Sequence, residues 1–206
     1  MSRFQNKVAV VVGAEHPLGA ALCKRLAGFG ATVVAIGHDD TGLRGVAKHD
    51  PARIEPLALH SGWRDILRLL SEAWADQPIH IYIDVMALSS DVSSGVLSEA
   101  FACSTGLTAA LRSGLEAGKA LGVVAVPTDV DTTKVHGPKS SYRALLKRFS
   151  NGADPIRMLG VGLPGRDHHW APQGLVSATD TVLMLCHPVS RGVKSGMVID
   201  WTPDLR

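Results

Sequence analysis

Apolar and polar positions along this chain change period in a regular order. Lys7–Val12 (KVAVVV) is a short apolar run closed by Gly13, the pattern of a strand buried on both faces. The next segment, PLGAALCKRLAGFG, spaces Leu18, Ala21, Leu22 and Leu26 at helical intervals and ends on Gly28 and Gly30. Thr32–Ile36 and Ile54–Leu59 predict a second and a third strand. Trp63, Ile66, Leu67, Leu70 and Trp74 form the stripe of an amphipathic helix, and Ile79–Val85 predicts a fourth strand. An Ala-rich helix over Leu97–Ala117 follows, then a fifth strand over Gly122–Val126. A helix over GPKSSYRALLKRFS (Gly137–Ser150) and a sixth strand over IRMLGVG come next. SATDTVLMLCH reads as a last helix opened by a Ser177 cap and the acidic Asp180, before the closing strand GMVID.

Strand and helix alternate throughout, without an internal repeat or a low-complexity linker. That order predicts one α/β domain over residues 1–206, a doubly wound parallel sheet of about seven strands with helices on both faces.

Composition narrows the function classes. A hydrophobic share of 46% is that of a globular chain and argues against disorder. The net charge is +2 and no block of five like charges occurs, so neither nucleic acid nor an anionic membrane is expected as a partner. Cys23, Cys103 and Cys186 are scattered, which fits reduced thiols. The apolar run before Gly13 is too short for a signal-peptide core and no run spans a bilayer, so the expected location is the cytoplasm.

In a doubly wound sheet, the turn after the first strand receives a dinucleotide pyrophosphate at the following helix N-terminus. Here it reads VGAEHPLGA. Gly13 supplies the tight turn and Gly19 permits close helix–strand packing. Pro17 stands where a glycine would let phosphate approach, and proline has no N–H to donate. Glu15 adds negative charge there, which His16 offsets only in part. A weakened nucleotide loop and a plain strand-to-helix turn both satisfy this pattern.

The second strand ends in AIGHDD, where an NAD site usually places an acidic side chain. Gly37 and His38 stand there instead, and His38 favours a 2′-phosphate, hence NADP over NAD. The alternative is an Asp-rich turn capping the next helix through Asp39 and Asp40.

Taken with the order of strands and the C-terminal half, these residues resemble the short-chain dehydrogenase/reductase family over essentially the whole chain. KVAVVVGAEHPLGAALCKRLAGFGATVVAIGHD is similar to the family's opening unit, IRMLGVGLPG to its strand ending in Pro-Gly, and SATDTVLMLCHPVSRGVKSGMVIDWTP to its last helix and strand. The resemblance implies a Rossmann-like fold, an NADP or NAD cofactor, and an Asn/Ser/Tyr/Lys tetrad. In that tetrad a lysine lowers the pKa of a general acid/base tyrosine. It places cofactor contacts at Gly13, His16, Leu18, Gly19, His38, His60, Pro164 and Gly165, and reactive groups at Tyr142, Thr128, Lys147 and Arg143.

The tetrad itself is poorly kept. The family's Asn-Asn-Ala-Gly turn falls on Asp84, Val85, Met86 and Ala87, and its helix asparagine falls on Cys103. The serine position holds Thr128, and the carboxamide-binding threonine falls near His169. In one alignment the Tyr and Lys positions fall on Lys139 and Arg143. In the other, Tyr142 is the tyrosine, but Leu146 takes the lysine position and Lys147 comes five residues on. Four residues bring a helical side chain back to the same face, whereas five leave it roughly 140° away.

Other candidates have plainer readings. Asp167–Trp170 (DHHW) has no His-x-x-x-His spacing, so no metal is expected. Cys103 reads as a buried thiol in an Ala-rich helix. Lys139 and Arg143 form either an anion site or a solvated helix entry. Two classes of function therefore stand side by side. One is a pseudoenzyme acting by oligomerisation, partner binding or ligand sensing, and the other is an active NAD(P)-dependent oxidoreductase. The resemblance also implies a homodimer or homotetramer built on the long helix, through Ala100, Phe101, Leu107, Ala110 and Leu111, and on the helix after Tyr142.

Overall fold

The computed structural model describes residues 4–59, 63–89, 94–128, 138–149, 155–164 and 170–202. Its strands are β1 (Val8–Val12), β2 (Thr32–Gly37), β3 (Ile54–Ala58), β4 (Ile81–Asp84), β5 (Leu121–Pro127), β6 (Arg157–Leu163) and β7 (Val198–Asp200). They pair in parallel in the order β3-β2-β1-β4-β5-β6-β7. The direction of winding reverses between β1 and β4, whose C-terminal residues Val12 and Asp84 lie side by side. A crevice at such a reversal is where this architecture holds ligands.

The strands are apolar throughout because both of their faces are covered. Ala9, Val11, Ile83, Val123 and Val161 face one layer, built by α1 (Pro17–Gly28), α2 (Asp40–Ala47) and α8 (Pro172–Leu185). Val10, Val12, Tyr82, Val124 and Met158 face the other. That layer holds α3 (Trp63–Ala73), α5 (Ser94–Ala110), α6 (Arg112–Ala117) and α7 (Pro138–Lys147). Each fully buried aliphatic side chain contributes about 1.5–3 kcal/mol relative to exposure.

Three elements depart from the sequence reading. The long helix is interrupted at Leu111, although the bonds from Leu111 N to Leu107 O and from Leu115 N to Leu111 O run through the irregularity. A short helix, α4 (Met86–Ser89), follows β4, and Asp84 Oδ1 accepts the Met86 N–H that opens it. The last helix starts at Pro172, so Ser177 is not its cap. Proline at the first helical position has a preset φ and lacks an N–H that would be unpaired there anyway. Ser177 instead lies inside α8 and accepts from Thr181 Oγ1 through its carbonyl, while Asp180 pairs with Arg25 of α1 at 2.7 Å.

The residues expected at a subunit interface are largely consumed within the chain. Ala100, Leu107 and Leu111 are buried on the sheet, and half-buried Phe101 meets Tyr142 edge-on at 5.3 Å. Among the described residues no helix is long and apolar enough to cross a membrane.

Candidate functional site

The site is assembled at the C-terminal ends of β1, β2, β4 and β5. Gly13 leaves β1 with φ +78° and packs on the next strand's turn, where an added Cβ would lie 2.7 Å from Met86 N. Both features require glycine. Gly19 packs α1 onto the turn, and a Cβ there would collide with Gly13 O. These two positions do what their sequence places predicted.

The N–H groups of the turn are largely occupied. Gly13 and Ala14 donate to Ile36 O at 2.8 and 3.0 Å, and His16 N donates to Gly13 O at 3.1 Å. Pro17 has none to offer. His16 is the N-cap of α1, and its Nδ1 accepts the Leu18 N–H at 3.2 Å. Burial lowers the pKa of His16 from 6.5 to about 4, so the ring is neutral at pH 7. It is an acceptor here and supplies no charge to offset Glu15, contrary to the sequence reading. Trp170 meets it in a T-shaped contact, with ring centroids 6.2 Å apart and planes at 83°.

Glu15 reaches from this turn to the end of β2. Its Oε1 accepts the His38 N–H at 3.0 Å, and its carboxylate rests on Gly37 in the space a side chain at that position would fill. Oε2 is buried without a partner. The His38 ring is anchored on the neighbouring strand end, with Nδ1 lying 2.7 Å from Leu59 O. Asp39 is the N-cap of α2 and accepts from Thr41 N at 3.0 Å, so the Asp-rich capping turn is what forms. A carboxylate rather than a cation therefore stands at the strand end, which removes the basis for preferring NADP. His60 and Gly165 lie outside the described residues. Pro164 ends β6 half-buried.

The sequence reading put chemistry on Tyr142, Thr128, Lys147 and Arg143, and the structure separates them. Tyr142, Leu145, Leu146 and Phe149 form the buried stripe of α7 and its C-terminal end, with Tyr142 at 0% exposure. Arg143 and Lys147 are exposed on the other side of that helix. Burial, then the nearby Asp84 carboxylate, push the Tyr142 phenol well above its usual pKa. A general acid/base needs the opposite shift and access to the crevice. Thr128 is exposed at the end of β5, where its Cγ2 and Asp200 Oδ1 close over Gly162. Of the four, it alone lies at the mouth of the sheet. The side chain of Lys139 is outside the described residues.

Tyr142 belongs to a buried polar cluster that the sequence reading did not assemble. Asp84, at 1% exposure, accepts from Met86 N at 3.0 Å and from Tyr82 Oη at 3.3 Å. Its pKa is raised by burial, against the lowering effect of the nearby Ser104 hydroxyl and these two donors. Ser104 Oγ lies near Asp84 and Tyr142, yet neither it nor Tyr142 Oη reaches hydrogen-bond geometry among the described residues. An aspartate ending the apolar run IHIYID was the available signal.

Burial raises the thiols of Cys23, Cys103 and Cys186 to about 12, so none is a nucleophile at neutral pH. Among the described residues no group of His, Cys, Asp and Glu is placed to hold a metal. A cavity of about 110 Å³, lined by Lys7, His80, Lys119 and Cys186 among others, opens at the opposite, N-terminal edge of the sheet. It is remote from these groups. The turn residues do not fit a pyrophosphate: one donor is missing at Pro17, another is taken by His16, and an acid lies beside them.

Comparison with known proteins agrees with the fold. No family model matches the chain. An uncharacterized oxidoreductase of Staphylococcus epidermidis is 29% identical over 100 residues, which cover 47% of this chain and 42% of that relative. A solved Escherichia coli CFT073 protein, described as a short-chain dehydrogenase complexed with NADPH, has TM-score 0.79 and 18% identity. It aligns over 97% of this chain and 98% of its own. A hydroxysteroid dehydrogenase from Escherichia coli has TM-score 0.75 and 15% identity, with 96% and 95% of the chains covered. The chain carries the fold of the short-chain dehydrogenases.

Proposed function

We propose that this protein is a pseudoenzyme on the short-chain dehydrogenase fold, acting by partner binding, oligomerisation or ligand sensing and not by hydride transfer. The observation that carries this reading is the position of Tyr142, buried in the α7 stripe while Lys147 is exposed on the other side. Among the described residues no cation lowers the pKa of this phenol, and burial and Asp84 raise it, the opposite of what proton exchange with a substrate oxygen requires. Fold alone carries no activity, and the groups that would do this chemistry do not converge. A cytoplasmic setting is consistent with three buried free cysteines. Any homodimer or homotetramer would need surfaces other than the α5 residues already packed on the sheet.

The alternative is an active NAD(P)-dependent oxidoreductase. The exposed hydroxyl of Thr128 at the end of β5 favours it, since a group there could polarise a substrate oxygen. Mixing the full chain with NADH or NADPH and a panel of aldehydes and ketones separates the two. No cofactor oxidation above the protein-free rate is expected. Turnover that disappears in Tyr142→Phe would sink the pseudoenzyme reading.

A further inference from the structure

We propose that Glu15 and His16 close the dinucleotide crevice from within, each occupying a position that a bound nucleotide would otherwise use. This goes beyond the missing phenol–lysine pair, because a protein can lose hydride transfer and still hold a dinucleotide.

Anion binding at a helix start needs free N–H groups and a positive local field. At α1 the Leu18 N–H is spent on His16 Nδ1, and Pro17 has no N–H. His16 cannot help by charge, because the buried ring is neutral at pH 7. Trp170 packs against that ring in a T-shaped contact, with centroids 6.2 Å apart.

Glu15 closes the neighbouring position. Its carboxylate fills the side-chain space of Gly37 and is anchored by the His38 N–H. Its Cβ packs over Gly42 in the first turn of α2, so the side chain bridges the β1 turn to the end of β2. In this fold that strand end receives the adenosine ribose. Oε2 is buried and Oε1 is engaged by the His38 N–H, so neither oxygen is left free for a ribose hydroxyl without giving up this arrangement. Among the described residues no salt bridge neutralises Glu15. A pyrophosphate at the α1 start would find the Leu18 N–H already spent, and the adjoining ribose position would be held by a carboxylate without a salt-bridge partner among the described residues. Closure by two side chains, with the glycine framework of Gly13 and Gly19 intact, is reversible by substitution.

The test measures binding, not activity. NADH and NADPH are titrated separately against the full chain, followed by cofactor fluorescence and by thermal shift. The variants are Glu15→Ser/His16→Gly, Glu15→Gln alone, and His16→Asn, which keeps an acceptor for the Leu18 N–H. Wild type and His16→Asn should show no saturation up to about 1 mM, and the double variant should bind at least about tenfold more tightly. Glu15→Gln, nearly isosteric and therefore safe for folding, should show part of that gain. Saturable binding by wild type below about 1 mM overturns the proposal. So does a folded double variant, or Glu15→Gln if the double does not fold, that binds no better than wild type. Either failure leaves the pseudoenzyme reading standing, because that reading depends on turnover alone.

Discussion

Replacing Tyr142 with phenylalanine distinguishes a structural tyrosine from a catalytic one. The side chain is fully buried in the α7 stripe, and among the described residues its hydroxyl has no hydrogen-bond partner. A buried hydroxyl without a partner costs about 1–3 kcal/mol in lost hydration. Phenylalanine keeps the ring, its edge-on contact with Phe101 and its packing, and removes only that oxygen. The variant should therefore be more stable by about 1 kcal/mol, the low end of that range, since Ser104 and Asp84 lie close enough to offer some polar compensation. For a chain of this length that gain raises Tm by roughly 2–4 °C. In urea the midpoint should move up with an unchanged slope, because the surface exposed on unfolding hardly changes. A loss of more than about 1 kcal/mol would refute the reasoning, since it would mean that the hydroxyl makes a bond worth keeping.

Two further perturbations probe the turn. The imidazole of His16 takes a proton in the unfolded chain below about pH 6.5, but in the folded chain only near 4. Stability should therefore fall as pH drops through that window, by up to about 3 kcal/mol, and His16→Asn, which keeps the cap without a titrating group, should flatten this slope in urea titrations from pH 7 to pH 4. An equal slope in both proteins would show that His16 is not buried in its neutral form. Gly19→Ala would drive a methyl group into Gly13 O, a backbone atom that cannot swing aside, and should cost about 1–3 kcal/mol by chemical denaturation. An unchanged midpoint would mean that α1 does not pack on the turn as described.

Much of the fold was legible in the sequence because the signals that specify it are local. Runs such as KVAVVV and GVVAV, with helical stripes between them, predict a parallel sheet whatever the rest of the chain does. Gly13 and Gly19 were readable for the same reason, since the tight turn and the helix start lie within a few residues, although the approach of Met86 to Gly13 was not. The start of α8 was misplaced at Ser177, because Ser177 and Asp180 mimic a cap and an acidic first turn inside a helix that Pro172 opens. Helical geometry already separated Tyr142 from Lys147, five residues on.

Tertiary structure decided the rest, because side-chain reach across the sheet has no sequence period. Glu15 meets His38 across 23 residues only because β1 and β2 are neighbours in register, with Val12 opposite Ile36. His38 is diverted to Leu59 O by the adjacent β3. The Asp84 cluster draws on β4, α5 and α7, and no local pattern announces that a strand-end aspartate will face Ser104 and Tyr142. The sequence by itself determined which elements form and which helical residues cannot share a face. Only the packed sheet decided which polar groups meet at its C-terminal edge, and whether they face the crevice or are buried beneath it.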